Sequence, residues 1–276
     1  AQAILAQVRI KVSCCEAVPS STARFRCARV EGLAHKMGAQ CCRPPEAEAS
    51  HELVSGSVAA TPELMKHPSW NAVVDNYVYV HNAFRNDLQG MIDEAKGGAD
   101  ISARFGLWRE ALAVHSRVED ELFLPALIGR LGRGVLPKSL TDASSHQAVD
   151  ELVDAALAAD PENQFDGLRA VQQALLPHLE EEEREVMPRM LEQFTTRELW
   201  ALDSFIVNEK LGYCPKDKLI RVTKWWFKNI TYAEGWDLMQ NFVRAGSQSK
   251  MTTKEWEKLQ ALIPALQGKP LEDLMS

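Results

Sequence analysis

Two stretches of the sequence place a histidine four residues before a glutamate, and this spacing constrains the fold more than any other feature. The pairs are His115–Glu119 and His178–Glu182. In an α-helix, residues four apart leave the same face one turn apart. That face is otherwise apolar in both stretches. A buried histidine and glutamate need a partner, because desolvating them unpaired is costly. A cation held between helices would supply this partner.

Apolar residues recur at steps of three and four along four segments, which is the pattern of amphipathic helices. The first segment ends before Gly97 and Gly98, Asp100 can cap the second, and Asp160 and Pro161 can begin the fourth. Four such helices with short or moderate loops favour an antiparallel bundle. We therefore predict an all-α fold with an antiparallel four-helix bundle over residues 61–195, a flexible N-terminal segment and a short helical C-terminal extension.

The inward face of each predicted helix carries one histidine. The remaining two are His81 on the first helix and His146 on the third. A single inward histidine is more often a core residue, and one such spacing is common by chance. Two spacings together with two further inward histidines are hard to explain by packing alone. The sequence therefore predicts a two-metal site, with imidazoles at the ends and two carboxylates between the metals.

Other side chains near these motifs are predicted to have no metal-binding role. We expect the neighbouring acids to be solvated; they are Asp120, Glu121, Glu180 and Glu183. The nearby aromatic residues are expected to pack in the core around the site; they are Tyr77, Phe84, Trp108 and Phe123.

The ordered set of motifs resembles the hemerythrin-like, or HHE cation-binding, domain family over about residues 68–194. The matching stretches are Val80-His-Asn-Ala-Phe-Arg85, His115-x-x-x-Glu119 with Leu122-Phe-Leu-Pro-Ala126, His146, and His178-x-x-x-Glu182 with Val186-Met-Pro188. The resemblance implies two iron ions, as Fe2+ or Fe3+, joined by an oxo or hydroxo bridge. It places His81 and His115 on one iron and His146 and His178 on the other, with Glu119 and Glu182 bridging.

Asp150 is where the sequence departs from the oxygen-carrying members of that family, which have a fifth histidine one turn after the ligand on the third helix. An oxygen ligand at Asp150 would make the site more anionic and favour ferric iron. We therefore expect iron or oxygen sensing or handling, with dioxygen or peroxide as a small partner, rather than oxygen transport.

Two alternatives remain open from the sequence. One is a di-iron oxidoreductase acting on peroxide, nitric oxide or dioxygen, although no dedicated proton donor or substrate pocket can be read from the residues. The other is a helical interaction scaffold with a structural metal site. Ferritin-like chemistry is disfavoured, because no bundle histidine has a glutamate three residues before it.

The two ends of the chain are predicted to differ from the bundle. Residues 1–60 are expected to form a disordered leader or targeting tail. If Gly38 and Cys41 or Cys42 were acylated, this tail would anchor an otherwise cytoplasmic protein to a membrane; an organelle transit peptide is the rival interpretation. Residues 196–276 are expected to form further short helices. Three Thr-x-x-Glu capping boxes support this, beginning at Thr195, Thr231 and Thr252.

Net charge bears on the class of partner. The chain carries a formal charge of −7, which argues against nucleic acid because phosphate binding needs a clustered basic surface. The sequence indicates no particular protein partner. Trp225, Trp226 and Phe227 form the most apolar cluster of the C-terminal region. We expect them to pack against the bundle, with a partner-binding groove as the alternative.

Overall fold

All regular secondary structure in the described part of the chain is helical. A computed structural model of the protein describes residue 67 and residues 75–141, 143–208, 213–248 and 250–274, and no strand occurs among them. The predicted tail over residues 1–60, including Gly38 and the two cysteines beside it, lies outside the described residues. No helix in the described ranges is both long and apolar enough to cross a bilayer.

Four long helices surround the centre of the fold. They are α1 (Asp75–Lys96), α2 (Ser102–Val118), α5 (Ala143–Ala158) and α6 (Gln164–Gln193). Helix α6 packs against α5 and α1, and α2 packs against α1 and α5, so that each long helix has two long neighbours. The all-α fold class is thereby confirmed. The antiparallel direction of the helices stays a prediction.

The loop between α1 and α2 shows why these helices end and begin where they do. Gly98 adopts a φ of 80°, a conformation that favours glycine at a helix end. The Asp100 carboxylate then accepts a hydrogen bond of 2.9 Å from the backbone N–H of Ser102. This contact satisfies one of the open donors at the start of α2.

The second predicted helix is interrupted by a wide turn. After α2, residues Glu119–Phe123 form a π-helical turn, and α3 continues over Leu124–Leu131. The backbone N–H of Leu124 bonds the carbonyl of Glu119, five residues back. The next residue, Pro125, has no N–H to offer and its ring would crowd the preceding turn of a regular helix. The wide turn relieves that conflict and places Glu119 at its first position.

The region after α6 is a set of shorter helices that pack on the bundle. With the single turn α4 (Lys138–Thr141) before α5, the remaining helices are α7 (Thr196–Val207), α8 (Lys216–Lys228), α9 (Tyr232–Gln248), α10 (Thr253–Leu262) and α11 (Leu271–Leu274). Short 3-10 turns occur at Pro161–Asn163 and Pro264–Leu266. Helix α8 packs against α1 and α2, and α10 packs against α3.

All three predicted capping boxes form at helix starts. Thr195 and Thr252 each accept a hydrogen bond from the N3 backbone while the N3 glutamate bonds back to the threonine N–H. Thr231 and Glu234 make the same exchange before α9. For Trp225, the expected packing against the bundle is also found. The ring of Trp225 lies 4.9 Å from that of Phe84, and its indole N–H donates a 2.5 Å hydrogen bond to Asp87.

Two hydrophobic clusters divide the interior. One lies among α1, α2, α5 and α6 and includes Phe84, Trp108 and Leu175. The other joins the far ends of α2 and α6 to the C-terminal helices and includes Leu122 and Val186. On α2, His115 lies between Leu112 of the first cluster and Val118 of the second. On α6, Glu182 lies between Leu179 of the first and Val186 of the second. The polar site is thus enclosed by apolar packing on both sides.

Candidate metal centre

The helices bring all six predicted ligands into two adjoining groups. Each group contains ligand atoms that lie within 4.8 Å of one another. The first consists of His81 from α1, His115 from α2, Glu119 and Glu182; the second consists of His146 from α5, His178 from α6, and Glu182 again.

The two carboxylates each face both groups. Glu182 directs Oε2 to within 3.5 Å of His81 Nε2 and Oε1 to within 2.9 Å of His178 Nε2. Glu119 directs Oε1 to within 3.3 Å of His115 Nε2 and Oε2 to within 3.8 Å of His146 Nε2. One oxygen of each glutamate therefore serves each end of the site. This arrangement suits two cations joined by two carboxylates.

Several of these converging atoms have no hydrogen-bond partner among the described residues. They are His146 Nε2, His178 Nε2 and Glu182 Oε2, all buried. The 2.9 Å approach of His178 to Glu182 therefore brings the atoms close without hydrogen-bond geometry. Buried polar atoms are normally satisfied, so these exceptions need an explanation. A cation fits, because imidazole nitrogens and carboxylate oxygens would share it as ligands.

The electrostatics of the site also suit a bound cation. Burial, reinforced by the nearby Glu182 carboxylate, raises the pKa of Glu119 well above its ordinary value. Burial and the neighbouring His81 hold the pKa of His115 well below its ordinary value. Glu119 thus tends to keep a proton and His115 tends to stay neutral. A bound cation would favour the carboxylate form of Glu119 and accept the neutral imidazole of His115.

His146 and Glu182 form the more strongly ionised half of the site. Burial opposes protonation of His146, but its hydrogen bond with Asp120 and the nearby carboxylates of Glu182 and Glu119 outweigh this and raise its pKa to about 10. Burial would raise the pKa of Glu182, but His146 and His178 outweigh it and bring it below the ordinary value. The proton that His146 holds at neutral pH therefore occupies part of the volume that a cation would take.

Glu183 is the clearest error of the sequence-based prediction, which put it at the surface. The structure buries it to 4% exposure. Its Oε1 lies 2.8 Å from His81 Nδ1, and Arg85 forms two hydrogen bonds with it, at 2.7 and 3.0 Å. Helix α6 packs against α1 as well as α5, so a second face of α6 is buried. A carboxylate on the outer nitrogen of a ligand histidine fixes the ring's tautomer and orientation.

Two other neighbours of the site do more than the sequence suggested. Tyr77 is buried in the core as predicted, but its hydroxyl also donates a hydrogen bond to Glu119. Asp120 is exposed as predicted, but its carboxylate lies 3.0 Å from His146 Nδ1. Asp120 therefore contacts the outer nitrogen of His146 in the same way that Glu183 contacts that of His81. Glu183 and Asp120 share one sequence signal, since each directly follows a predicted bridging glutamate.

Asp150 lies beside the site without joining either group. It lines a small cavity together with Ser116, His146 and His178. Burial raises the pKa of its carboxyl group. Its role as an additional ligand stays a prediction.

The match to known proteins covers the part of the chain that builds this site. Residues 72–190 match the family model described as the hemerythrin HHE cation-binding domain. The chain therefore contains a hemerythrin HHE domain. All six converging side chains and both outer carboxylates, Glu183 and Asp120, fall inside the matched residues.

The chain is also similar to a plant protein. Zinc finger protein BRUTUS-like of Arabidopsis thaliana is 30% identical over 143 residues, which cover 44% of this chain and 11% of the relative. The chain thus spans about a tenth of the length of that relative. No solved structure matches the chain. Together, the HHE match and the converging histidines and glutamates identify a cation-binding domain.

Proposed function

We propose that this chain binds two iron ions and serves in iron or oxygen sensing or handling rather than oxygen transport. His81 and His115 would hold one iron, and His146 and His178 the other. Glu119 and Glu182 would bridge them, together with an oxo or hydroxo group. The observation that carries this proposal is the split of each buried glutamate, one oxygen toward each pair of histidines.

The donor set favours iron over harder or softer cations. Four imidazoles and two carboxylates suit iron, whereas calcium and magnesium prefer oxygen ligands alone, and structural zinc sites are four-coordinate and often include thiolate. No cysteine of the described residues lies in either group. When bound, such an iron pair supplies redox chemistry between Fe2+ and Fe3+.

The residues of the chain would control the pair in three ways. Glu183 and Asp120 would orient the His81 and His146 rings through their outer nitrogens. Tyr77 would hold the Glu119 carboxylate through its hydroxyl. The apolar clusters on either side would limit water at the site. These contacts all act on the ligand side chains, so they support metal binding.

Metal analysis of the full chain tests the proposal. Protein purified from iron-supplemented cells without chelators should hold about two irons per chain and show the charge-transfer absorption of a bridged ferric pair. Glu182→Gln should lower the iron content, because it alters the one side chain common to both groups. Glu180→Gln, on the same helix, is the matched control and should keep two irons. Zinc alone, or no metal, in the unaltered protein would contradict the proposal.

The expected role is tested by adding oxygen to the reduced, iron-loaded protein. We expect irreversible conversion to the ferric form. A colour change that reverses on degassing would instead indicate oxygen transport and refute the assignment. Sustained consumption of added peroxide would favour the oxidoreductase alternative over sensing or handling.

A further inference from the structure

A second cavity lies next to the metal centre, between the HHE bundle and the helices that follow it. It measures about 120 Å³. One wall comes from α1, α2 and the π turn, including Val80, Val114 and Val118. The other comes from α7 and α8, including Val207 and Val222. The second wall lies wholly outside the matched residues 72–190.

The lining of this cavity is mainly hydrophobic. Ten of its fourteen lining residues are aliphatic residues, phenylalanine or tryptophan. The other four are Tyr77, His115, Asp203 and Thr223. Among these, Tyr77 bonds Glu119 and His115 Nε2 lies 3.0 Å from His81 Nε2, so their polar atoms are engaged within the metal centre. Asp203 adds a buried carboxyl group to the lining and no lysine or arginine of the described residues lines it, so an anionic ligand would be desolvated here without a cationic partner.

The dimensions of the cavity fit a small molecule. A dry, apolar cavity of about 150 Å³ is known to accept benzene or xenon. The volume here is close to that size, and too small for a peptide segment with its backbone polar groups. The tryptophan in the lining adds one polar feature. The indole N–H of Trp226 is buried and has no acceptor among the described residues. This donor could serve a weak acceptor or the face of an aromatic ring.

We propose that this cavity is a binding site for a small, uncharged, mainly apolar molecule of up to about the size of a six-membered ring. The site exists because α8 packs on α1 and α2 and α7 contributes to the same wall. Tyr77 and His115 belong to both the cavity and the metal centre, so the ligand would lie directly behind the His81–His115 pair. The proposal does not require a bound metal, and it therefore goes beyond the proposed iron function.

Benzene and benzoate are the probes that test the chemical class, since they share a ring and differ in charge. Isothermal titration of the full chain, with and without iron, should show saturable binding of benzene in both forms. Benzoate should bind at least about tenfold more weakly, because its carboxylate would be desolvated without a partner. Equal binding of the two probes, or no binding of benzene, would overturn the proposal.

Two filling variants locate the binding. Val114→Phe adds a ring from the α2 wall, and Thr223→Leu adds volume from the α8 wall if the first variant does not fold. Either should weaken benzene binding at least about tenfold by occupying the cavity. Val135→Phe makes the same change as the first variant at a position that is 44% exposed, and should leave binding unaltered. Benzene binding that persists at full strength in both folded filling variants would place it elsewhere and refute the site.

Discussion

The contact between Glu183 and Arg85 allows a sharp test, because both side chains are almost fully buried and one of them also bonds a metal-site histidine. Glu183→Gln removes the negative charge but keeps the shape. Arg85 would then be a buried charge without a compensating one, which typically costs about 3–5 kcal/mol. Arg85 and the outer N–H of His81 both donate hydrogen bonds to this position. The NH2 group of the substituted side chain would therefore face a donor where it needs an acceptor.

The same substitution should weaken metal binding for a separate reason. His81 would lose the carboxylate that orients its ring, and losses of this kind typically lower metal affinity about 10–100-fold. Urea unfolding of the metal-free protein measures the first effect, and competition with a chelator measures the second. Glu180→Gln, three residues away and partly exposed, should change the free energy of unfolding by no more than about 0.5 kcal/mol.

A double variant separates the two effects. Arg85→Met with Glu183→Leu replaces the buried ion pair by apolar side chains, which is often neutral or stabilising. It should restore stability while leaving metal affinity low, because His81 still lacks its acceptor. The reasoning would be refuted if Glu183→Gln cost less than about 1 kcal/mol, or if the double variant bound metal as tightly as the unaltered chain.

Three further predictions follow from other contacts. Tyr77→Phe removes the hydroxyl that bonds Glu119, so the metal-loaded protein should lose about 1.5–3 kcal/mol of stability in urea. Tyr213→Phe, away from the site, is the control. An equal effect of the two substitutions would contradict the role given to Tyr77. The pKa of His146 is about 10 in the folded chain, above its ordinary 6.5, so its stabilising contribution is complete below about pH 6.5 and is lost as the pH rises toward 10. Thermal melts of the metal-free protein should show this fall and His146→Gln should flatten it, whereas an unchanged slope would argue against the shift. Trp225→Phe removes the indole that packs against Phe84 and bonds Asp87. We expect a loss of about 1–3 kcal/mol by urea unfolding. A change below about 0.5 kcal/mol would show that this contact does not hold α8 to the bundle.

Helical spacing was sufficient to predict which side chains meet at the centre. His115 and Glu119, like His178 and Glu182, are fixed by local geometry, since a four-residue step on a helix determines a shared face. His81 and His146 could be added because each lies on the apolar stripe of its own helix. The predicted ligands therefore depended on short-range regularity, which the fold preserves. Their role as iron ligands stays a prediction.

The surroundings of the site could not be predicted in the same way, because they depend on which helices pack together. Glu183 appeared solvated because it lies about 100° from Glu182 around the helix. It is buried because α1 covers that second face, and Arg85 on α1 supplies the counter-charge. The π turn at Glu119 was missed for a related reason. Pro125 signals a local conflict in hydrogen bonding, but the sequence does not say whether the chain resolves it by a break, a kink or a wider turn.

Glu234 connects the start of α9 to the residue that follows a metal-site histidine. Its Oε2 accepts hydrogen bonds from the backbone N–H and hydroxyl of Thr231, while its Oε1 accepts a 2.6 Å bond from the Asn82 side chain. One carboxylate thus completes a helix cap and a tertiary contact at once. Deleting the chain beyond residue 195 would leave the buried Asn82 amide without this acceptor and expose the face of α1 and α2 that α8 covers. The matched segment, which ends at residue 190, is accordingly shorter than the unit that should unfold cooperatively. Experiments on an excised HHE segment would therefore examine a different folding equilibrium from that of the full chain.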